Sequence, residues 1–132
     1  NIAHMYAGLA YFNLGDYKKA IEQLESFSPK GDETVSANAL AALGNAYVAD
    51  KQFDNGVKYL KKAADKADNE ALSPEYLIQA GLVLENQGKK ADANALYVHI
   101  KNDYPRSRYS QGGVQNGVST GAEIDKYIER TK

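Results

Sequence analysis

One spacing runs through the chain. Gly8, Gly44 and Gly81 stand 36 and then 37 residues apart. In the same register Tyr11 aligns with Tyr47 and Leu84, and Gly15 with Lys51 and Gly88. Ala20 aligns with Gly56 and Ala93, and Leu24 with Leu60 and Tyr97. Columns that share one offset indicate a supersecondary unit repeated along the chain and stacked on its neighbours.

Each unit reads as two helices. In the first, Met5, Leu9 and Phe12 recur at i, i+4 and i+7, with Gly8 and Tyr11 beside them. Gly15 breaks that pattern, as a residue tolerant of positive φ does at a helix end. Asp16 can cap the next helix, where Tyr17, Ala20, Ile21 and Leu24 form a second apolar stripe. Pro29 and Gly31 close the unit. The pattern predicts helices near 33–50 and 53–67 in the second unit, and near 74–87 and 89–104 in the third. Ser73 reads as the cap of a helix whose first residue is Pro74, Gly88 repeats the corner of Gly15, and Pro105 ends the last helix. The small residues have a physical reason: paired helices cross closely at Gly8, Gly44 and Gly81, with Ala20, Gly56 and Ala93 as small spots on the second helices. Helices this short are marginal alone and gain stability by burying their stripes on each other.

Composition narrows the function. The 132 residues carry 16 basic and 17 acidic groups, so no basic excess marks a nucleic-acid surface or a polybasic membrane patch. Cysteine is absent, which removes disulfides, thiolate metal sites and cysteine nucleophiles. No apolar run approaches the ~18 residues that span a bilayer. The chain opens on Asn1 inside a helical pattern, as a piece of a longer protein would.

These residues resemble the tetratricopeptide repeat. The resemblance rests on Gly8, Tyr11, Gly15-Asp16-Tyr17 and Ala20 in the first unit. In the second it rests on Leu43-Gly44, Tyr47, Phe53 and Ala63, and in the third on Gly81, Gly88, Ala93 and Pro105. The second unit departs at Lys51 and Gly56, and the third carries Lys90 where an aromatic usually sits. The resemblance implies an all-α, right-handed α-solenoid of three helix pairs with a short capping helix. The repeats are expected at 1–34, 35–72 and 73–107, a Gly-rich loop at 108–121 and the cap at 122–132. A narrower likeness involves the tyrosine content, the segment Asp103-Tyr104-Pro105-Arg106-Ser107 and the final helix. It is similar to envelope proteins related to the ancillary subunit of the bacterial Sec translocon. That likeness implies an N-terminal membrane anchor upstream and a place on the periplasmic side of the inner membrane, with a cytoplasmic site left open.

The family resemblance also implies a partner-binding groove lined by the first helix of each repeat. Its positions are Met5, Tyr6, Leu9 and Asn13, then Ala41, Ala42, Asn45 and Ala49, then Ile78, Gln79, Leu82 and Asn86. None is Lys or Arg, which disfavours the family's basic clamp for a peptide carboxylate. Amides and apolar groups suit an extended or helical apolar segment, or the protein's own N-terminus or tail. Self-association through an open end or the convex face, giving a homo-oligomer, is the structural alternative, and a closed small-molecule pocket a third.

The remaining motifs carry little chemistry. The stretch 106–121 holds four glycines and reads as loop with one helical turn near Tyr109; it lacks the Gly-Lys-Ser/Thr ending of a phosphate loop. Thr120-Gly121-Ala122-Glu123 has capping-box spacing, and Ile124, Tyr127 and Ile128 follow as an amphipathic stripe that suits a cap. If that stripe were free, it would suit a recognition helix instead. His4 and His99 fall in different repeats and are expected to lack a carboxylate or histidine partner at ligand spacing. The run Lys61–Asp68 reads as a solvated face. No pair of acids is set to face across a cleft. The expectation is a non-catalytic domain without cofactor or metal that binds a protein or peptide.

Overall fold

The computed structural model describes residues 2–27 and 32–132, so Pro29 and Gly31 lie outside the described residues. The fold is an all-α helical-repeat architecture, divided into two compact units, 1–67 and 68–132. In the first unit α1 (Ile2–Asn13), α2 (Tyr17–Glu25), α3 (Glu33–Ala49) and α4 (Phe53–Ala67) pack in chain order, and α1 also touches α3. In the second, α5 (Ser73–Asn86) packs on α6 (Lys90–Asp103), and α7 (Glu123–Arg130) packs on α6. Between α6 and α7 lies a hairpin of β1 (Gly113–Gln115) and β2 (Val118–Thr120), with Val114 opposite Ser119.

The sequence period reappears in the backbone. After α1, the Asp16 N–H donates to the Tyr11 carbonyl (2.9 Å) and the Gly15 N–H to that of Phe12 (3.0 Å). Gln52 donates to Tyr47 (2.8 Å) after α3, and Lys89 to Leu84 (2.9 Å) after α5, each with the same inner bond beside it. This paired closure needs a left-handed residue at the corner. Gly15 and Gly88 supply it at φ 81 and 77°, and Lys51 adopts φ 65° without being glycine. The departure from the repeat pattern at Lys51 therefore changes the residue and keeps the corner.

The crossings explain the small residues. A Cβ on Gly8 would lie 2.5 Å from Leu24 Cγ, one on Gly44 2.9 Å from Leu60 Cγ, and one on Gly81 2.5 Å from Tyr97 Cε1. Leu24, Leu60 and Tyr97 are themselves one column of the repeat. At Gly44 the barrier is also backbone, since the added carbon would sit 3.0 Å from the Gly56 carbonyl oxygen. The core of the first unit gathers Ala20, Ile21, Leu24, Leu43, Ala46 and Tyr47, with Met5, Tyr11, Phe12, Ala42 and Tyr59 packed against it.

Asp16 caps α2 through its bond to the Lys19 N–H (3.2 Å). Three local expectations are corrected. Ser73 does not cap a helix beginning at Pro74; it is the first residue of α5 and buried, and its Oγ accepts the Asn69 N–H (3.1 Å). Asn69 Oδ1 takes the Ala71 and Leu72 N–H groups, so the turn before α5 is fixed one step upstream. Thr120 makes no capping box, because β2 claims it and its Oγ1 accepts the Gly113 N–H (3.2 Å). The 108–121 segment is not simply loop: Asn116 and Gly117 take φ 54 and 77°, the mirror-image turn that joins twisted strands. The signal was the Asn-Gly pair between valines.

Two substitutions separate corner from crossing. Gly44→Ala should lower stability by about 1–3 kcal/mol through forced displacement of backbone. Lys51→Gly should raise it by about 0.5–1 kcal/mol, because relief of the left-handed conformation outweighs the added chain entropy. Urea denaturation followed by circular dichroism reads both.

Candidate functional site

The expected groove positions sort by column. Met5, Ala41 and Ile78 stand three residues before Gly8, Gly44 and Gly81, hence on the face that meets the paired helix. Ala41 and Ile78 are each only 6% exposed and Met5 is half-buried against the core, so this column packs inward, with Ile78 also lining a cavity of the second unit. Leu9, Asn45 and Leu82, one residue after those glycines, are exposed in all three repeats. Tyr6 is 63% exposed, whereas its counterparts Ala42 and Gln79 are half-buried. The Gln79 side-chain oxygen is buried without a hydrogen-bond partner. Asn13 and Asn86 are exposed and Ala49 is half-buried. Of the twelve expected positions, Tyr6, Leu9, Asn13 and Asn45 are exposed in one unit and Leu82 and Asn86 in the other.

Polar joints brace each unit. In the first, the buried Tyr47 donates its hydroxyl to Glu25 and stacks on Tyr59 with ring centroids 5.4 Å apart. Burial, then the bond to Glu25, pushes the Tyr47 phenol well above its ordinary range. In the second, the Tyr97 hydroxyl donates to Glu85 Oε2 (2.6 Å), and Arg130 from α7 grips both Glu85 oxygens at 2.8 and 2.7 Å. The Arg130 guanidinium lies 4.7 Å from the centroid of the Tyr127 ring, which stacks on Tyr97 at 5.2 Å. Asn94 donates to the Ile128 carbonyl (3.0 Å) and Lys101 to Asp125 (2.6 Å). Ile124 is fully buried and Tyr127 and Ile128 half-buried, so α7 does not present a free apolar stripe.

His99 does meet a carboxylate four residues on, against the expectation: it pairs with Asp103 on the surface. His4 contacts Gln23 at 2.9 Å. Among the described residues no three His, Cys, Asp or Glu side chains gather as metal ligands, and no helix is long and apolar enough to cross a membrane. In the charge run, Lys61, Lys62, Asp65 and Lys66 are exposed while Ala63 and Ala64 are buried. Sequence reasoning missed two cavities. One, of about 350 Å³, lies among α2, α3 and α4 and is lined by Leu24, Glu25, Phe27, Ala39, Leu43 and Tyr59. The other, of about 460 Å³, opens between α5, the hairpin and α7.

Sequence models described as tetratricopeptide repeat match residues 3–28 and 75–107, and another of that description matches 37–65. The chain belongs to the tetratricopeptide-repeat family. No curated protein matches it. Tetratricopeptide repeats generally mediate protein–protein interaction and are typically non-catalytic, and the helix pairs described above are those repeats.

The joint around Glu85 makes α7 sensitive to acid. The hydrogen bonds from Arg130, opposed by burial and joined by the bond from Tyr97, hold the Glu85 carboxyl below its ordinary value of 4.5. A lowered folded value means that the contribution is complete above about 4.5 and is lost as pH falls through the lower folded value. Wild-type Tm should fall below that pH more steeply than that of Glu85→Gln, whose Tm near neutrality should itself be a few degrees lower. Calorimetry across the acid range checks both.

Proposed function

We propose that this tetratricopeptide-repeat chain is a non-catalytic interaction module that holds an extended or helical segment of a partner protein against its first helices. One observation carries the reading: Leu9, Asn45 and Leu82, equivalent positions in the three repeats, are all exposed. Leucine supplies apolar contact and asparagine can donate to and accept from a partner backbone. No lysine or arginine stands among the twelve first-helix positions, so an apolar segment suits them better than a terminal carboxylate. The likeness to Sec-related envelope proteins, resting on segment 103–107 and the final helix, supports a periplasmic setting close to secretion or folding machinery. It also supports an anchor preceding Asn1.

A second reading has its own observation. Residues 1–14 contain no Asp, Glu, Lys or Arg, and Ile2, Tyr6 and Leu14 are exposed there, Leu14 at 80%. An uncharged, partly apolar helix of this kind suits self-association.

In-cell photo-crosslinking from Asn45, in the protein with its native N-terminus, separates the readings. A defined partner, lost on Leu82→Asp or Leu9→Asp while Tm stays within about 1–2 °C, supports segment binding. Crosslinks only between copies of the chain, with a mass that rises with concentration in light scattering, support self-association. Capture unaffected by either substitution overturns the assignment to the first helices.

A further inference from the structure

The cavity of about 460 Å³ in the second unit is built mainly by the part of the chain that follows the repeats. Its lining includes Ile78 of α5, Tyr109 from the turn after α6, Gly121 before α7, and Glu123 and Tyr127 of α7. Its volume lies within the range of sites that hold a small ligand or a side chain, roughly 300–1,000 Å³. Ile78, buried, and the rings of Tyr109 and Tyr127 form one apolar and aromatic side of the cavity, and Arg108, Gln111, Thr120 and Glu123 make the rest of its surface the more polar part. Around the position a Cβ would take on Gly121 nothing lies within 4 Å, so the mouth is open at that point.

Two charged side chains line this cavity, and they differ. Arg108 is already engaged: it pairs with Glu75, donates to the Tyr109 hydroxyl oxygen (2.6 Å), and lies 4.7 Å from the Tyr109 ring centroid. Glu123, the first residue of α7, has neither an ion pair nor a hydrogen bond from its side chain among the described residues. Glu123 is exposed, and the nearby Glu75 and Glu85 are paired with Arg108 and Arg130. Burial raises the Tyr127 phenol first, Glu123 raises it further, and Arg130 offsets part of that rise.

We infer that this cavity is a second recognition site, distinct from the exposed positions Leu9, Asn45 and Leu82, and that it takes a basic side chain of a partner polypeptide. The alkyl stem lies over Ile78 between Tyr109 and Tyr127, and the cationic head pairs with Glu123. Charge complementarity selects the occupant, since Glu123 is the lining charge left without a partner. A long cationic side chain also matches a site with an aromatic and apolar side for its stem and a carboxylate for its head.

The test is an amide chemical-shift titration of the whole chain with two probes, N-acetyl-arginine N-methylamide and its uncharged isostere N-acetyl-citrulline N-methylamide. The arginine probe is expected to shift Gly113, Gly121, Glu123 and Tyr127, and to bind about tenfold more tightly than the citrulline probe. Glu123→Gln should reduce it to the citrulline level, and Gly121→Val should block both probes by filling the mouth. Asn45→Arg should change nothing, so failure here stays distinct from failure of the first-helix reading. Equal binding of the two probes, no shifts at those amides, or a Glu123→Gln chain that binds arginine as wild type does would each overturn the inference.

Discussion

Close approach of two helices at a glycine is the constraint on which the rest depends. At Gly8, Gly44 and Gly81 the facing side chain occupies the space a Cβ would need. That contact sets how deeply each first helix sinks onto its partner, and so which neighbouring positions face inward. Met5, Ala41 and Ile78 share the glycine's face and are drawn into the core, while Leu9, Asn45 and Leu82 are turned outward by the next step of the helix. The surface available to a partner is therefore a by-product of the crossing. A larger residue at the crossing would both cost stability and rotate that surface.

What the sequence showed and what it hid follow from the range of the interactions. Helix pairs, corners and crossings were legible because local periodicity and a shared offset encode them. Even Lys51, which lacks the expected glycine, sits in a left-handed corner because the register places it there. The burial of Ala41 and Ile78 was readable in principle, from their spacing of three to Gly44 and Gly81. Ser73 and Thr120 misled because a serine or threonine before a helix has several competing hydrogen-bond partners, and tertiary neighbours chose others. The hairpin had an Asn-Gly signal that the glycine content masked. Neither cavity was legible, since each joins residues from segments far apart in sequence.

The two units solve their polar problems in parallel but with different parts. Each buries a tyrosine whose hydroxyl finds a glutamate, Glu25 in one and Glu85 in the other. Tyr47 and Tyr97 do not occupy the same repeat column, so this likeness is not inherited from the repeat. In the second unit the tyrosine stands where the earlier repeats carry leucine, and its hydroxyl helps to bring in Arg130 and with it α7. A single change from Leu to Tyr in the column thus serves both to fill the crossing and to fasten the final helix.

Those unrepeated joints bear on how the chain avoids folding out of step. Three repeats with the same corner and the same crossing could in principle pair across the wrong partners, since the apolar and backbone features are nearly interchangeable. A slip by one whole repeat would keep the glycine crossings and the corner hydrogen bonds. It would not keep the tyrosine–glutamate pairs: moving Glu25 forward by one period brings Lys61 to its place, and a buried phenol there loses its acceptor. The joints act as addresses, giving otherwise equivalent repeats a fixed order during assembly.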